Sequence, residues 1–145
     1  MPTILTHGEF TKHIAVTPSP PLVLQSPVTE VLLAYFPSDI SPAGKDKATA
    51  QLQQFIERSL NKCTDVKAVS YGWGVENDFP VRGGEEGQTG SILTTLIGWP
   101  SIDAHMKFRD TEIFKENADL IRSMEGIVKI GMFHISCRSL RKKTE

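Results

Sequence analysis

The residues best equipped for chemistry are His105 and Arg109, one helical turn apart in Ile97-Gly98-Trp99-Pro100-Ser101-Ile102-Asp103-Ala104-His105-Met106-Lys107-Phe108-Arg109. An imidazole titrates near neutral pH and can take or give a proton; partial burial beside Phe108 and a guanidinium favours its neutral, basic form. Helical spacing puts Ile102, His105, Met106 and Arg109 on one face, with Phe108 within side-chain reach of His105. A second histidine, His134, alternates with Val128, Ile130, Met132 and Ser136 on one face of a strand pattern. It is a pocket residue if that face meets helices and an interface residue if it meets a partner. Tyr71 and Trp73 share a strand face and could line a pocket, though core or interface packing is the stronger reading. Trp99 ends its strand and reads as a plug at the strand–helix joint, Thr95 offers a hydroxyl, and Tyr35 adds a phenol. His7 and His13 have no partner at metal-ligand spacing. No nucleophile–base–orienter set, same-face carboxylate pair, dinucleotide fingerprint or metal constellation is legible, so covalent, hydride-transfer and metal mechanisms are disfavoured. What remains is cofactor-free chemistry: shaping an apolar substrate, excluding water and moving protons with one or two groups. Near-attack positioning alone contributes ~7–11 kcal/mol in favourable cases.

These groups need a scaffold, and 145 residues suffice for one domain with its own core. A formal net charge of -1 gives no electrostatic footprint for nucleic acid. No apolar run approaches the ~20 residues of a membrane span, and no secretion signal is legible, so the expected location is cytoplasmic. Cys63 and Cys137 form no CxxC and read as reduced thiols.

Residues 1–27 read as a Pro-rich arm, in which Leu22-Val23-Leu24 could tuck onto the domain or add an edge strand; residues 28–139 form the domain and 140–145 a basic tail. The periodicities predict strands over Thr29–Phe36, Val66–Val75, Gly90–Trp99 and Val128–Cys137. Ser41-Pro42 opens a helix whose Ala48, Leu52, Phe55, Ile56 and Leu60 keep the 3.6 period. Further helices start after Pro100 and after Asp110 or Thr111, the last keeping its stripe to Met124 and ending at Gly126. The glycines at 72 and 74 imply a bulge or close approach of another group, and Glu76–Thr89 reads as a mobile loop. Strand, helix, strand, strand, helix pair, strand is the split βαβ order: an α+β, ferredoxin-like, four-stranded antiparallel sheet with helices on one face. The first and third strands are apolar on both faces, so the open sheet face calls for a partner, most simply a second copy in a homodimer.

With Gly98–Arg109, Phe114-Lys115-Glu116-Asn117 and Met132-Phe133-His134-Ile135-Ser136 in hand, the stretch from about Pro27 to Ser139 resembles the dimeric α+β barrel superfamily. It is most similar to fungal members of the antibiotic-biosynthesis-monooxygenase and stress-responsive-barrel branches. The resemblance implies an apolar pocket between sheet and helices, no cofactor and no metal. It marks His105, Arg109 and His134 as candidate catalytic residues. Tyr71, Trp73 and Trp99 become candidate substrate contacts, joined on the residue reading by Thr95, Phe108 and Tyr35. The main expectation is a cofactor-independent cyclase or isomerase of an apolar natural-product intermediate, a polyketide or terpenoid, by an aldol-type reaction with His105 as base or a pericyclic one with Arg109 or a Tyr or Trp donor polarising a carbonyl. It requires an enclosed cavity of about 300 Å³ or more beside His105. The alternatives are a cofactor-free monooxygenase of an electron-rich phenol and a non-enzymatic stress or ligand-carrying barrel with a collapsed pocket.

Overall fold

A computed structural model describes residues 11–18 and 22–137; His7, the start of the arm and the basic tail lie outside the described residues. The strands are β1 (Val28–Phe36), β2 (Val69–Trp73), β3 (Phe79–Pro80), β4 (Thr89–Trp99) and β5 (Lys129–Ile135); the helices are α1 (Pro42–Arg58), α2 (Ile102–Arg109), α3 (Glu112–Asn117) and α4 (Asp119–Arg122). The sheet runs β2-β4-β1-β5 with every pairing antiparallel, and β3 adds to the start of β4. This is the expected α+β, ferredoxin-like arrangement.

Strand alternation divides the core in two. Ala34, Phe36, Leu93, Ile97 and Trp99 face Ala48, Leu52 and Phe55 of α1, Ala104 and Phe108 of α2, and Ile121 of α4. Val31, Leu33, Tyr35 and Ile92 form the opposite face, where Phe79 and Val81 pack on them. Ser41 caps α1 by accepting from the Gly44 N–H at 3.0 Å, and Pro42 takes the first helical position, where no donor is lost.

The structure differs from the sequence expectations in four places. Phe79 and Val81 are buried over the second sheet face, so Glu76–Thr89 is partly a packed flap rather than a free loop. The edge strand comes from arm residues 13–17, bonded to the outer side of β2 through Thr17 and Tyr71; Leu22–Gln25 is a 3-10 turn that buries Val23. Gly72 is needed for that approach, since a Cβ there would lie 1.6 Å from the Ala15 carbonyl oxygen. The last helical stretch breaks at Ala118 into α3 and α4 before Gly126, at φ 81°, turns the chain into β5. Finally, α2 buries Ala104, His105 and Phe108 while Ile102 stays 48% exposed. The buried stripe is therefore rotated from the expected face of Ile102, His105, Met106 and Arg109, of which only His105 is fully buried.

Candidate functional site

The strand–helix joint sets the site. Trp99 closes β4 with its ring fully buried, and Ser101 caps α2 by accepting from the Ala104 N–H at 3.1 Å. The short turn between them folds His105 back over the sheet, its ring stacked on the Trp99 indole with centroids 5.0 Å apart. Register supplies the rest: Glu30 of β1 lies opposite His134 of β5, and both point toward the helices.

These four side chains form one chain of close contacts, hydrogen-bonded at its two ends. The Trp99 Nε1–H donates to Glu30 Oε1 at 3.1 Å, and His105 Nε2 lies 3.2 Å from the same oxygen. His105 Nδ1 is 2.8 Å from His134 Nε2. In the His105–His134 hydrogen bond one ring nitrogen carries the proton and the other accepts it, and the tautomer decides which. No hydrogen bond engages Glu30 Oε2 among the described residues. Burial pushes the Glu30 carboxyl up to about 7, against the lowering effect of the Trp99 hydrogen bond and the Arg109 charge. Burial, helped by His134 and Arg109, holds His105 down at about 4, so at neutral pH it is the neutral imidazole expected from the sequence. The His105–Glu30 contact is then a close approach of a neutral ring to the carboxyl rather than an ion pair.

Glu30, His105, Phe108 and Arg109 border an apolar cavity of about 160 Å³, walled on the sheet side by Leu32, Ile97, Ile130 and Met132. This falls well short of the roughly 300 Å³ required for a folded polyketide or terpenoid chain. It matches a single aromatic ring, since a dry protein cavity of about 150 Å³ accepts benzene. The cavity is open rather than collapsed. Among the described residues no group of three His, Cys, Asp or Glu side chains is arranged to hold a metal ion.

Of the residues singled out by sequence, His105, Arg109 and Phe108 line the cavity, Trp99 backs it through His105, and His134 joins it through His105 Nδ1. The others go elsewhere. Tyr71 OH accepts from Gln53 Nε2 at 2.8 Å and borders a separate depression with Ile56 and Leu60. Trp73 donates to Thr49 Oγ1 at 2.9 Å and packs on Phe36 under α1. Thr95 is buried in the middle of β4 and does not line the cavity. Tyr35 lies on the opposite sheet face, among Val31, Leu33 and Phe79. Its strand position decides this, because odd-numbered residues of β1 point away from the helices. Cys63 and Cys137 are free thiols. His13 makes a 2.7 Å contact through Nδ1 with Glu76 Oε2, fastening the arm to the flap.

Sequence reading passed over two site residues, Glu30 and Arg122. The signal for Glu30 was present: a carboxylate on the same strand face as Leu32, Ala34 and Phe36 must be buried, and a buried carboxylate needs partners. Arg122 of α4 lines the cavity beside Arg109, and nothing in its local sequence distinguishes it from a solvated helix end.

No family model and no curated protein matches the chain. Similar solved structures do exist. An Arabidopsis thaliana protein, 20% identical, superposes with a TM-score of 0.51 over 80% of this chain and 100% of its own. A dimeric protein of unknown function and ferredoxin-like fold from Bacteroides fragilis, 8% identical, superposes with a TM-score of 0.50 over 76% of this chain and 96% of its own. SnoaB, a cofactor-independent oxygenase from Streptomyces nogalater, is 15% identical, with a TM-score of 0.45 over 80% of this chain and 97% of its own. At these identities the likeness is one of fold.

Proposed function

We propose that the protein is a cofactor-free monooxygenase of a small, electron-rich phenol, in a homodimer of the dimeric α+β barrel type. The observation that carries this reading is Glu30: a carboxyl raised to about 7, bordering a ring-sized apolar cavity, with one oxygen held by the Trp99 N–H beside His105 and the other free among the described residues. A base is most effective when its pKa lies near the working pH, and general acid–base catalysis contributes about 10²–10⁴-fold.

In this reading Glu30 Oε2 takes the phenolic proton. The neutral His105 packs against the carboxylate and does not act as the base. The electron-rich ring reduces O2, and one oxygen atom bonds to a ring carbon as a peroxide, which takes the proton back from Glu30. Glu30 then removes the proton of that ring carbon as the O–O bond breaks; the departing hydroxide picks up this proton and leaves as water. The sum is phenol plus O2 to quinone plus water, with the substrate as the reductant. Ring closure of a polyketide or terpenoid is set aside because the cavity is about half the size it requires.

The homodimer reading is supported by the second sheet face. The flap covers Tyr35 and Ile92 there, but Phe133 stays 36% exposed beside the half-buried Leu96 and Ile135.

Oxygen uptake with resorcinol tests the chemistry. Uptake should rise as pH passes through about 7, with one atom of ¹⁸O2 in the product and the other in water. Glu30→Gln should lower the rate by about 10²-fold or more. Uptake no faster than the protein-free rate, or uptake unaffected by Glu30→Gln, would overturn the reading.

A further inference from the structure

The cavity described above has a charge imbalance at its helix side. Arg109 and Arg122 both line it, and both also border the shallow groove that adjoins it between α2 and α4. Their charged ends, and not only their stems, are near the cavity. The Arg122 guanidinium lies over the ring of Phe114, a cavity-lining residue, at 6.0 Å, and the Arg109 charge is felt by both Glu30 and His105. Neither arginine makes an ion pair among the described residues. Of the other charged groups on the groove, Lys115 pairs with Glu112 at 3.9 Å, and Asp110 closes α2 as its C-cap. With His105 neutral and Glu30 near its midpoint at neutral pH, the two guanidiniums leave the cavity and its mouth net positive.

From this juxtaposition we infer that the substrate is an anion: a single aromatic ring in the apolar cavity, with a carboxylate substituent held at the mouth between Arg109 and Arg122. Guanidinium is the side chain best shaped for a carboxylate, offering a planar fork of N–H donors that stays charged at any working pH. The ring end is apolar and the size of one ring, so the recognised class is an arene carboxylate rather than a free inorganic anion or a long-chain acid. Phe108 and Phe114, stacked edge to face with centroids 5.5 Å apart, supply aromatic wall for that ring. This orientation puts the carboxylate toward the helices and the ring hydroxyl toward Glu30. It rests on the oxygenase reading only for the bond that is made there.

The test compares benzoate with benzyl alcohol, its neutral relative of similar shape, for binding to the full-length chain by ligand-observed NMR titration. Benzoate should bind at least ten-fold more tightly than benzyl alcohol, and raising NaCl to 0.5 M should weaken benzoate alone. Arg109→Gln and Arg122→Gln should each bring benzoate close to the alcohol, whereas Arg122→Lys should keep most of the preference. Thermal melts accompany each variant. If Arg109→Gln does not fold, Arg122→Gln decides, because its side chain is exposed. Equal binding of the two compounds, no benzoate binding, or a folded Arg122→Gln with unchanged benzoate affinity would overturn the inference. A parallel oxygen assay separates it from the reading it rests on. Uptake with resorcinol but no gain with 2,4-dihydroxybenzoate removes the anion subsite and keeps the oxygenase. Selective benzoate binding with no uptake from either phenol keeps the subsite and removes the oxygenase.

Discussion

Replacing Glu30 with Gln should stabilise the protein, and only at the upper end of the pH range. The native state holds the Glu30 proton more tightly than the unfolded chain, with its carboxyl moved from 4.5 to about 7. Folding therefore takes up a proton between those values, and stability falls as pH rises. At about 1.36 kcal/mol per pKa unit the full effect above pH 7 is ~3 kcal/mol. His105 works the other way. Held down from 6.5 to about 4, it makes the unfolded chain the better proton binder between those values, so stability rises with pH by a similar ~3 kcal/mol. In the wild type the two slopes oppose each other between about pH 4.5 and 6.5 and largely cancel. Gln keeps an Oε1 acceptor for the Trp99 N–H and removes the titration. Urea unfolding followed by circular dichroism at pH 4.5, 6 and 8 should give variant and wild type nearly equal at pH 4.5. At pH 8 the variant should lead by up to ~3 kcal/mol, or about 6–12 °C in melting temperature for a chain this size. A variant less stable than wild type at pH 8, or an advantage independent of pH, would refute the buried-carboxyl reasoning.

Two further outcomes follow from the fold. Ser101→Ala removes the side-chain acceptor for the Ala104 N–H and should cost about 1 kcal/mol by denaturant titration; because that cap seats α2 over Glu30, a looser helix admits water, lessens the burial that raises the carboxyl, and should move the rise in the rate of resorcinol oxidation to lower pH. Sedimentation at micromolar concentration should show a dimer, and Phe133→Glu, placing a charge on the half-open sheet face, should shift it to monomer without unfolding it. A monomeric wild type would remove the open-face argument.

Local pattern was enough for the scaffold and for one half of the site. Short apolar runs rich in β-branched residues mark β1, β4 and β5, the 3.6-residue stripe marks α1, and Pro100-Ser101 marks the start of α2 within a residue or two. His105 stood out because imidazole is rare among apolar neighbours after a strand. The other half was hidden in register. Glu30 meets Trp99, His105 and His134 across separations of 69, 75 and 104 positions (99 − 30, 105 − 30 and 134 − 30), and only the β1–β4 and β1–β5 pairings and the turn into α2 bring them together. Tyr71 and Trp73 show the reverse failure: correct face, wrong end of the sheet, because β2 lies at the edge beyond β4 and meets α1 rather than α2.

The resulting polar chain is hard to explain as a structural device. A carboxyl whose ionisation costs the fold ~3 kcal/mol at neutral to alkaline pH is a poor way to pin a strand to a helix when a glutamine accepts the same Trp99 hydrogen bond without that cost. Groups retained against stability are expected where the charge itself is used. Glu30→Gln therefore separates the two roles. A fold-holding carboxyl predicts lost stability with little consequence for chemistry, whereas a working base predicts a more stable protein at pH 8 that no longer turns over.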